Sequence, residues 1–97
     1  MPTSNPDLRH APEKNRFEAE TGAGTAVAEY MRVGNTLIFT HTEVPEALEG
    51  QGVGSALVKY ALEYVRTEGL TASPLCPFVK SYIQRHPEYQ DLVRMGG

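Results

Sequence analysis

The segment EGQGVG at residues 49–54, called the glycine loop below, has residue types and a spacing that could do chemistry. Three glycines alternate with larger residues directly before an apolar pattern with helical spacing. Glycine lets a ligand approach the backbone and permits positive φ. The free N–H groups and the dipole of a helix N-terminus favour an anion. Neither a Walker sequence nor GxGxxG is present. The loop therefore predicts a phosphate or pyrophosphate site, with simple turn and packing glycines as the alternative.

Cys76, the single cysteine, stands between a predicted strand and a predicted helix. A helix N-terminus can lower the pKa of a thiol and make it reactive, whereas a buried cysteine can also be a small apolar filler. His41 lies on the neighbouring predicted strand, so it could approach Cys76 and form a pair suited to nucleophilic or proton-transfer chemistry. The alternative is a histidine satisfied by a backbone partner. With one cysteine and three scattered histidines, we expect no metal site.

The elements that must position these residues follow from hydrophobic periodicity. Three antiparallel strands are predicted at residues 16–20, 25–33 and 36–44, with a hairpin at Gly34-Asn35. An apolar stripe then predicts a helix over residues 52–68. Residues 70–76 form a fourth strand, parallel to the third because a helical crossover joins them, and a second helix runs to about residue 85. The order β-β-β-α-β-α predicts an α/β fold with a small mixed, mostly antiparallel sheet and a helix on each face.

Length and composition limit the possible classes of function. The 97 residues fit one domain, predicted at residues 15–97 behind a flexible tail at residues 1–14. The net charge is −3, made of −4 in residues 1–50 and +1 in residues 51–97, so no basic face for nucleic acid is expected. No apolar run approaches a membrane span of about 20 residues, and the N-terminus lacks the apolar stretch of a signal peptide. A single cysteine suggests the reducing cytoplasm.

The glycine loop resembles the acyl-CoA pyrophosphate loop of the GNAT acetyltransferase superfamily, whose pattern is Gln/Arg-x-x-Gly-x-Gly/Ala. Residues 51–54 match this pattern, while Glu49 occupies the first position, where Arg or Gln is usual. LCPFVKSYI at residues 75–83, followed by RHPEY at residues 85–89, is similar to the short, YjdJ-like branch of these proteins. The resemblance covers about residues 16–93. This branch lacks the pair of helices between the first two strands of a full GNAT protein, which implies an open acceptor side.

The resemblance implies acetyl-CoA or coenzyme A as cofactor, with its pyrophosphate on the glycine loop and its pantetheine arm along the end of the third predicted strand. The implied cofactor-binding residues are Thr42, Glu43, Val44, Gly50, Gln51, Gly52, Val53, Gly54 and Lys80. The catalytic residues that the resemblance implies are Cys76 near the acyl sulfur and Tyr82 as the acid for the leaving thiolate. His41 remains a catalytic candidate through its predicted position beside Cys76. Glu43 is also a candidate general base. Tyr82 could equally be a core residue, and Lys80 and Arg85 could be ordinary solvated helix residues.

Two functions of different classes follow. The first is an N-acetyltransferase that moves an acetyl group from acetyl-CoA to an amine, either directly or through Cys76. The acceptor amine is not named by the sequence. The second is a non-catalytic acyl-CoA-binding module or sensor, which the missing acceptor half favours.

Overall fold

The computed structural model describes residues 6–93. Five strands are present: β1 (Asp7–Ala11), β2 (Arg16–Thr21), β3 (Gly24–Val33), β4 (Thr36–Glu43) and β5 (Thr71–Pro74). The α-helices are α1 (Val53–Thr67) and α2 (Pro77–Arg85), and short 3₁₀ segments span Pro12–Lys14, Glu46–Leu48 and Pro87–Leu92. From residue 16 onward, the order of strands and α-helices is the predicted one.

The strands form one mixed sheet in the order β1-β2-β3-β4-β5. The first four strands are antiparallel, and β5 pairs in parallel with β4. Gly34 adopts φ of 58° in the two-residue turn between β3 and β4. The predicted α/β fold with a mixed, mostly antiparallel sheet is therefore confirmed, including the parallel pair made by the helical crossover.

The prediction of a flexible tail at residues 1–14 was wrong for residues 7–14. Strand β1 pairs with β2 over five residues. The 3₁₀ segment that follows has Asn15 as its C-cap, and this residue adopts a left-handed φ of 55°. The His10 ring stacks on Phe17 at 4.2 Å and contacts the hydroxyl of Tyr30 at 2.6 Å. This aromatic contact, which periodicity does not reveal, holds the edge strand. The first five residues of the predicted tail lie outside the described residues.

Helix α1 packs on the face of the sheet that carries the ring of Phe17. Its apolar side chains recur at helical spacing and are all buried: Val53, Leu57, Val58, Ala61, Leu62 and Val65. From the sheet, Phe17, Ala28 and Phe39 meet this stripe in a single core. Burying an apolar face of this size is the main stabilisation available to a domain of this length.

The prediction of a helix on each face of the sheet was wrong. The buried residues of α2, which include Val79 and Ile83, belong to the same core as α1 and Phe39. The opposite face carries mainly charged side chains, and Met31 on it is 58% exposed. A second helical layer would need an apolar stripe on this face, and the alternation of β2 and β3 supplies it to one face only.

Strand β4 extends beyond its parallel neighbour and bends as it does so. Tyr30 pairs with Phe39 and Glu29 pairs with His41, so Thr40 is an extra residue that makes a bulge. Strand β5 has its last pairing at Phe39, and β4 continues to Glu43 without it. A bulge increases the local twist, and the two parallel strands part at this end of the sheet. The opening between them lies beside the N-termini of α1 and α2.

Candidate functional site

An open cleft with a volume of about 710 Å³ lies where β4 and β5 part. The residues lining it come from the end of β4, the glycine loop, the first turn of α1 and one face of α2. They are Thr42, Glu43, Val44, Leu48, Glu49, Gly50, Gly52, Val53, Gly54, Ser55, Phe78 and Arg85. Seven of the nine predicted cofactor-binding residues are therefore brought together here.

Two positions of the glycine loop require glycine for conformational reasons. Gly50 and Gly52 have φ of 82° and 79°, a region that L side chains rarely adopt. Gly52 is the N-cap of α1, and no side chain caps this helix end. A Cβ at either glycine would meet no atom within 4 Å. The first turn of a 15-residue helix thus presents free N–H groups to open space, which suits an anion.

Gly54 and Gln51 have other roles than the resemblance implies. A Cβ at Gly54 would lie 2.7 Å from the Phe78 ring and 3.0 Å from Val44, so this glycine lets α2 and β4 pack closely against α1. Gln51 donates its side-chain amide to the Ala47 carbonyl at 3.2 Å and does not line the cleft. This hydrogen bond holds the glycine loop against the 3₁₀ segment Glu46–Leu48 that precedes it.

Cys76 is the N-cap of α2 and is buried behind Thr42, at what we call the inner end of the cleft, without itself lining the cleft. Its backbone N–H donates to the Phe39 carbonyl, and its thiol lies 3.3 Å from the hydroxyl of Thr42. Burial alone would raise the pKa of this thiol. The Thr42 hydroxyl, to which the neutral thiol donates, and the backbone N–H groups of Val79 and Phe78 can all donate to the thiolate. These hydrogen bonds outweigh burial and lower the pKa of the thiol below its ordinary value.

The hypothesis of a pair between His41 and Cys76 was wrong. Successive side chains of a strand point to opposite faces, so His41 and Thr42 cannot both face Cys76. Thr42 takes that place. The imidazole of His41 is exposed on the open face, opposite Glu29 in the strand register and 3.7 Å from the carboxylate of Glu43.

The structure does not bring Tyr82 or Lys80 to the cleft. Tyr82 is buried in the core, stacks on His86 at 4.1 Å and has a pKa raised by that burial. Lys80 is exposed on α2 and is absent from the cleft lining. An acid for a leaving thiolate is therefore not supplied by Tyr82 in this geometry.

Sequence reasoning missed the second wall of the cleft, which α2 provides. Phe78 is 37% exposed and its ring covers Gly54, while Arg85 is the one basic residue of the described lining. Both belong to one face of α2, since seven residues make nearly two helical turns. This seven-residue spacing can be seen in the sequence. It indicates a wall of the cleft only when α2 is known to lie beside the glycine loop.

Within residues 6–93, no group of three or more His, Cys, Asp or Glu side chains is arranged to hold a metal ion. The helices of this range include none that is long and apolar enough to cross a membrane.

The fold is that of a GCN5-related N-acetyltransferase domain. Residues 16–92 match the family model described as "GCN5-related N-acetyl-transferase", and the chain belongs to this family. The recognised resemblance to the GNAT superfamily is therefore confirmed.

Relatives of nearly the same length support this assignment. The chain is 32% identical to Protein NATD1 of Xenopus tropicalis over 97 residues, which cover 97% of this chain and 89% of that protein. It is 38% identical to Protein NATD1 of Mus musculus over 91 residues, covering 91% and 83%. A solution structure of a GCN5-like protein from Staphylococcus aureus superposes with a TM-score of 0.73 at 28% identity, covering 98% of this chain and 94% of that one.

Proposed function

We propose that the protein binds acetyl-CoA in the cleft and transfers the acetyl group to an amine. One observation carries the proposal: in a chain of this family, an uncapped helix N-terminus with two positive-φ glycines opens onto the gap between two parting parallel strands. The proposed cytoplasmic location rests on the single Cys76, with which no internal disulfide can form.

We assign the coenzyme a single orientation in the cleft. Its pyrophosphate is the group that needs free N–H donors, so we assign it to the first turn of α1 at Gly50 and Gly52. The pantetheine arm carries amides. These amides can hydrogen-bond to the backbone of residues 42–44, at the end of β4 and just beyond it, where the chain is no longer paired with β5. The thioester then lies toward Thr42 and Cys76, at the inner end.

Direct transfer needs three events at that end. The neutral acceptor amine attacks the thioester carbonyl, a backbone N–H of β4 stabilises the oxygen that becomes negative, and the carbon–sulfur bond breaks. The amine loses a proton, for which Glu43 at the cleft edge is the candidate base, and the coenzyme thiolate gains one. The products are an N-acetyl amide and coenzyme A.

A second route passes the acetyl group through Cys76. Its thiolate would attack the thioester carbon, and the bond from that carbon to the coenzyme sulfur would break and release the coenzyme thiolate. The amine would then attack the carbonyl carbon of the acetyl-cysteine, and the bond to the Cys76 sulfur would break and restore the Cys76 thiolate. The proton lost by the amine would go to the coenzyme thiolate and give coenzyme A. Thr42 supports this route. The neutral Cys76 thiol donates to the Thr42 hydroxyl oxygen at 3.3 Å, and once the thiol has ionised the same hydroxyl can donate to the sulfur.

A non-catalytic acyl-CoA-binding module remains the alternative, and the open face of the sheet favours it. The strands at the cleft are covered by helices on one face only, so the described residues provide no cover on the open face to hold a small acceptor. A large acceptor that brings its own surface would also fit this geometry.

Calorimetry with coenzyme A and acetyl-CoA tests the binding step. Gly52→Asp places a carboxylate on the N–H groups assigned to the pyrophosphate, so we expect affinity to fall at least tenfold, about 1.4 kcal/mol. Gly34→Asp is the matched control, because Gly34 also has positive φ and open space but lies in the distant hairpin. Equal binding by folded Gly52→Asp would refute the loop assignment. Mass spectrometry of the acetyl-CoA mixture then detects acetylated Cys76 or an acetylated amine.

A further inference from the structure

The wall of the cleft opposite the glycine loop ends in a guanidinium group. The Arg85 side chain folds back along α2 toward the helix N-terminus, and its Nε lies 3.4 Å from the carbonyl of Ser81, to which it donates. Ser81 is one helical turn beyond Phe78, whose ring covers Gly54 at the start of α1. The guanidinium is therefore brought toward the cleft instead of continuing past the end of its helix.

Among the arginines that the structure describes, Arg85 and Arg32 have no carboxylate partner, and Arg32 lies in the distant hairpin. Arg9 and Arg16 bind Glu18, and Arg66 binds Asp91. In the described part of the chain, no carboxylate pairs with Arg85, and only its Nε has a hydrogen-bond partner. Its two terminal nitrogens remain available to an anion.

The charges on the cleft walls divide it into two sides. Glu43 and Glu49 lie on the side of β4 and the glycine loop, and Arg85 belongs to the part of the lining that α2 provides. A polyanionic ligand whose pyrophosphate uses the α1 amides is repelled by these carboxylates and attracted by the guanidinium. Its remaining negative charge is therefore directed toward α2.

We propose that Arg85 binds the 3′-phosphate of the coenzyme and makes the cleft selective for coenzyme A over its 3′-dephospho form. This inference rests on the proposed function. The 3′-phosphate is the coenzyme's third phosphate group, and it lies on the nucleotide beyond the pyrophosphate that the loop amides hold. A guanidinium with two unused terminal nitrogens matches a phosphate in a bidentate arrangement.

Calorimetry with coenzyme A and 3′-dephospho-coenzyme A tests the assignment on the full chain. We expect the wild type to prefer coenzyme A about tenfold, which is typical of a charge-assisted contact, and the preference to shrink as salt is raised. Arg85→Gln should abolish the preference and leave affinity for the dephospho form unchanged. Arg85→Lys should retain part of it. The matched control Arg32→Gln removes an exposed arginine whose Nε donates to Gly34 in the distant hairpin, and it should behave as wild type.

The results separate this inference from the proposed function. If the wild type binds neither ligand, the proposed coenzyme site fails and the role of Arg85 fails with it. If the wild type binds both equally, or if Arg85→Gln weakens both equally, the coenzyme site stands and the 3′-phosphate assignment is overturned.

Discussion

The thiol of Cys76 owes its environment to one neighbouring residue on β4. Thr42 lies 3.3 Å from the sulfur, and the N-terminal turn of α2 adds backbone hydrogen bonds, so the pKa of the thiol lies below its ordinary value despite burial. Identity and spacing of the residues indicated a reactive cysteine. They pointed to His41 as its partner because sequence does not show which face of a bulged strand a residue occupies.

Alkylation with iodoacetamide measures this environment. Because only the thiolate reacts, the rate rises with pH, and we expect its midpoint below the free-thiol value of about 8.5. Thr42→Val removes the hydroxyl donor at nearly the same volume and should raise the midpoint. His41→Ala is the control and should leave it in place. A midpoint that moves with His41 and not with Thr42 would contradict the geometry.

Glu18 provides a second test at the residue scale. Its carboxylate is only 4% exposed and accepts hydrogen bonds of 2.7 Å from both Arg16 and Arg9 on the open face. These contacts lower the pKa of Glu18, and the hydrogen bond from Arg16 has the largest effect. Because the pKa of this carboxylate is lower in the folded state, its ionised form stabilises the fold at pH values above the unfolded-state pKa of about 4.3. This stabilisation is lost as the pH falls through the folded-state pKa.

Glu18→Gln should therefore reduce the free energy of unfolding by about 1 kcal/mol at pH 7, since charge-assisted contacts at a surface are partly screened. The difference from wild type should be smaller at pH 3, which is below the unfolded value of about 4.3, because protonation of the carboxylate removes the advantage of these contacts. Urea unfolding at both pH values measures this, with Glu20→Gln, an exposed neighbour, as control. A difference that is equal at both pH values would show that the ion pair is not its cause.

At the scale of elements, strands β2–β5 and both α-helices could be predicted because each has a clear period and turn residues at its ends. Strand β1 could not. Its alternation is carried by Leu8 and His10, and the prolines on both sides suggested a loop. Its stability comes from contacts distant in sequence, chiefly the stack of His10 on Phe17. Likewise, no local pattern shows that both helices occupy one face.

Removal of β1 tests its place in the fold. A chain beginning at Glu13 loses five strand pairs with β2 and the His10 stack, so we expect a loss in the free energy of unfolding on the order of 2 kcal/mol. Asp7→Ala, which removes only an exposed side chain, should stay within about 0.5 kcal/mol of wild type. Thermal and urea unfolding provide the comparison. A truncated chain as stable as wild type would restore the interpretation of a dispensable tail.

At the scale of the whole molecule, one layer of helices covers one face of a five-stranded sheet, and the site lies at the end where two parallel strands part. Sequence predicted the loop wall of this site, because the glycines are contiguous. The wall formed by Phe78 and Arg85 arises only when α2 folds back beside α1. The bare face of the sheet leaves the inner end of the cleft, to which we assign the acetyl group, accessible to a large acceptor.

The proposed function requires that acetyl-CoA occupy this cleft with its pyrophosphate on the glycine loop. Backbone amide chemical shifts recorded during a titration with acetyl-CoA measure this occupancy residue by residue. We expect saturable shifts at residues 42–44 and 50–55, with Val27 and Met31 on the open face unaffected. Shifts confined to the open face, or none at millimolar acetyl-CoA, would contradict it.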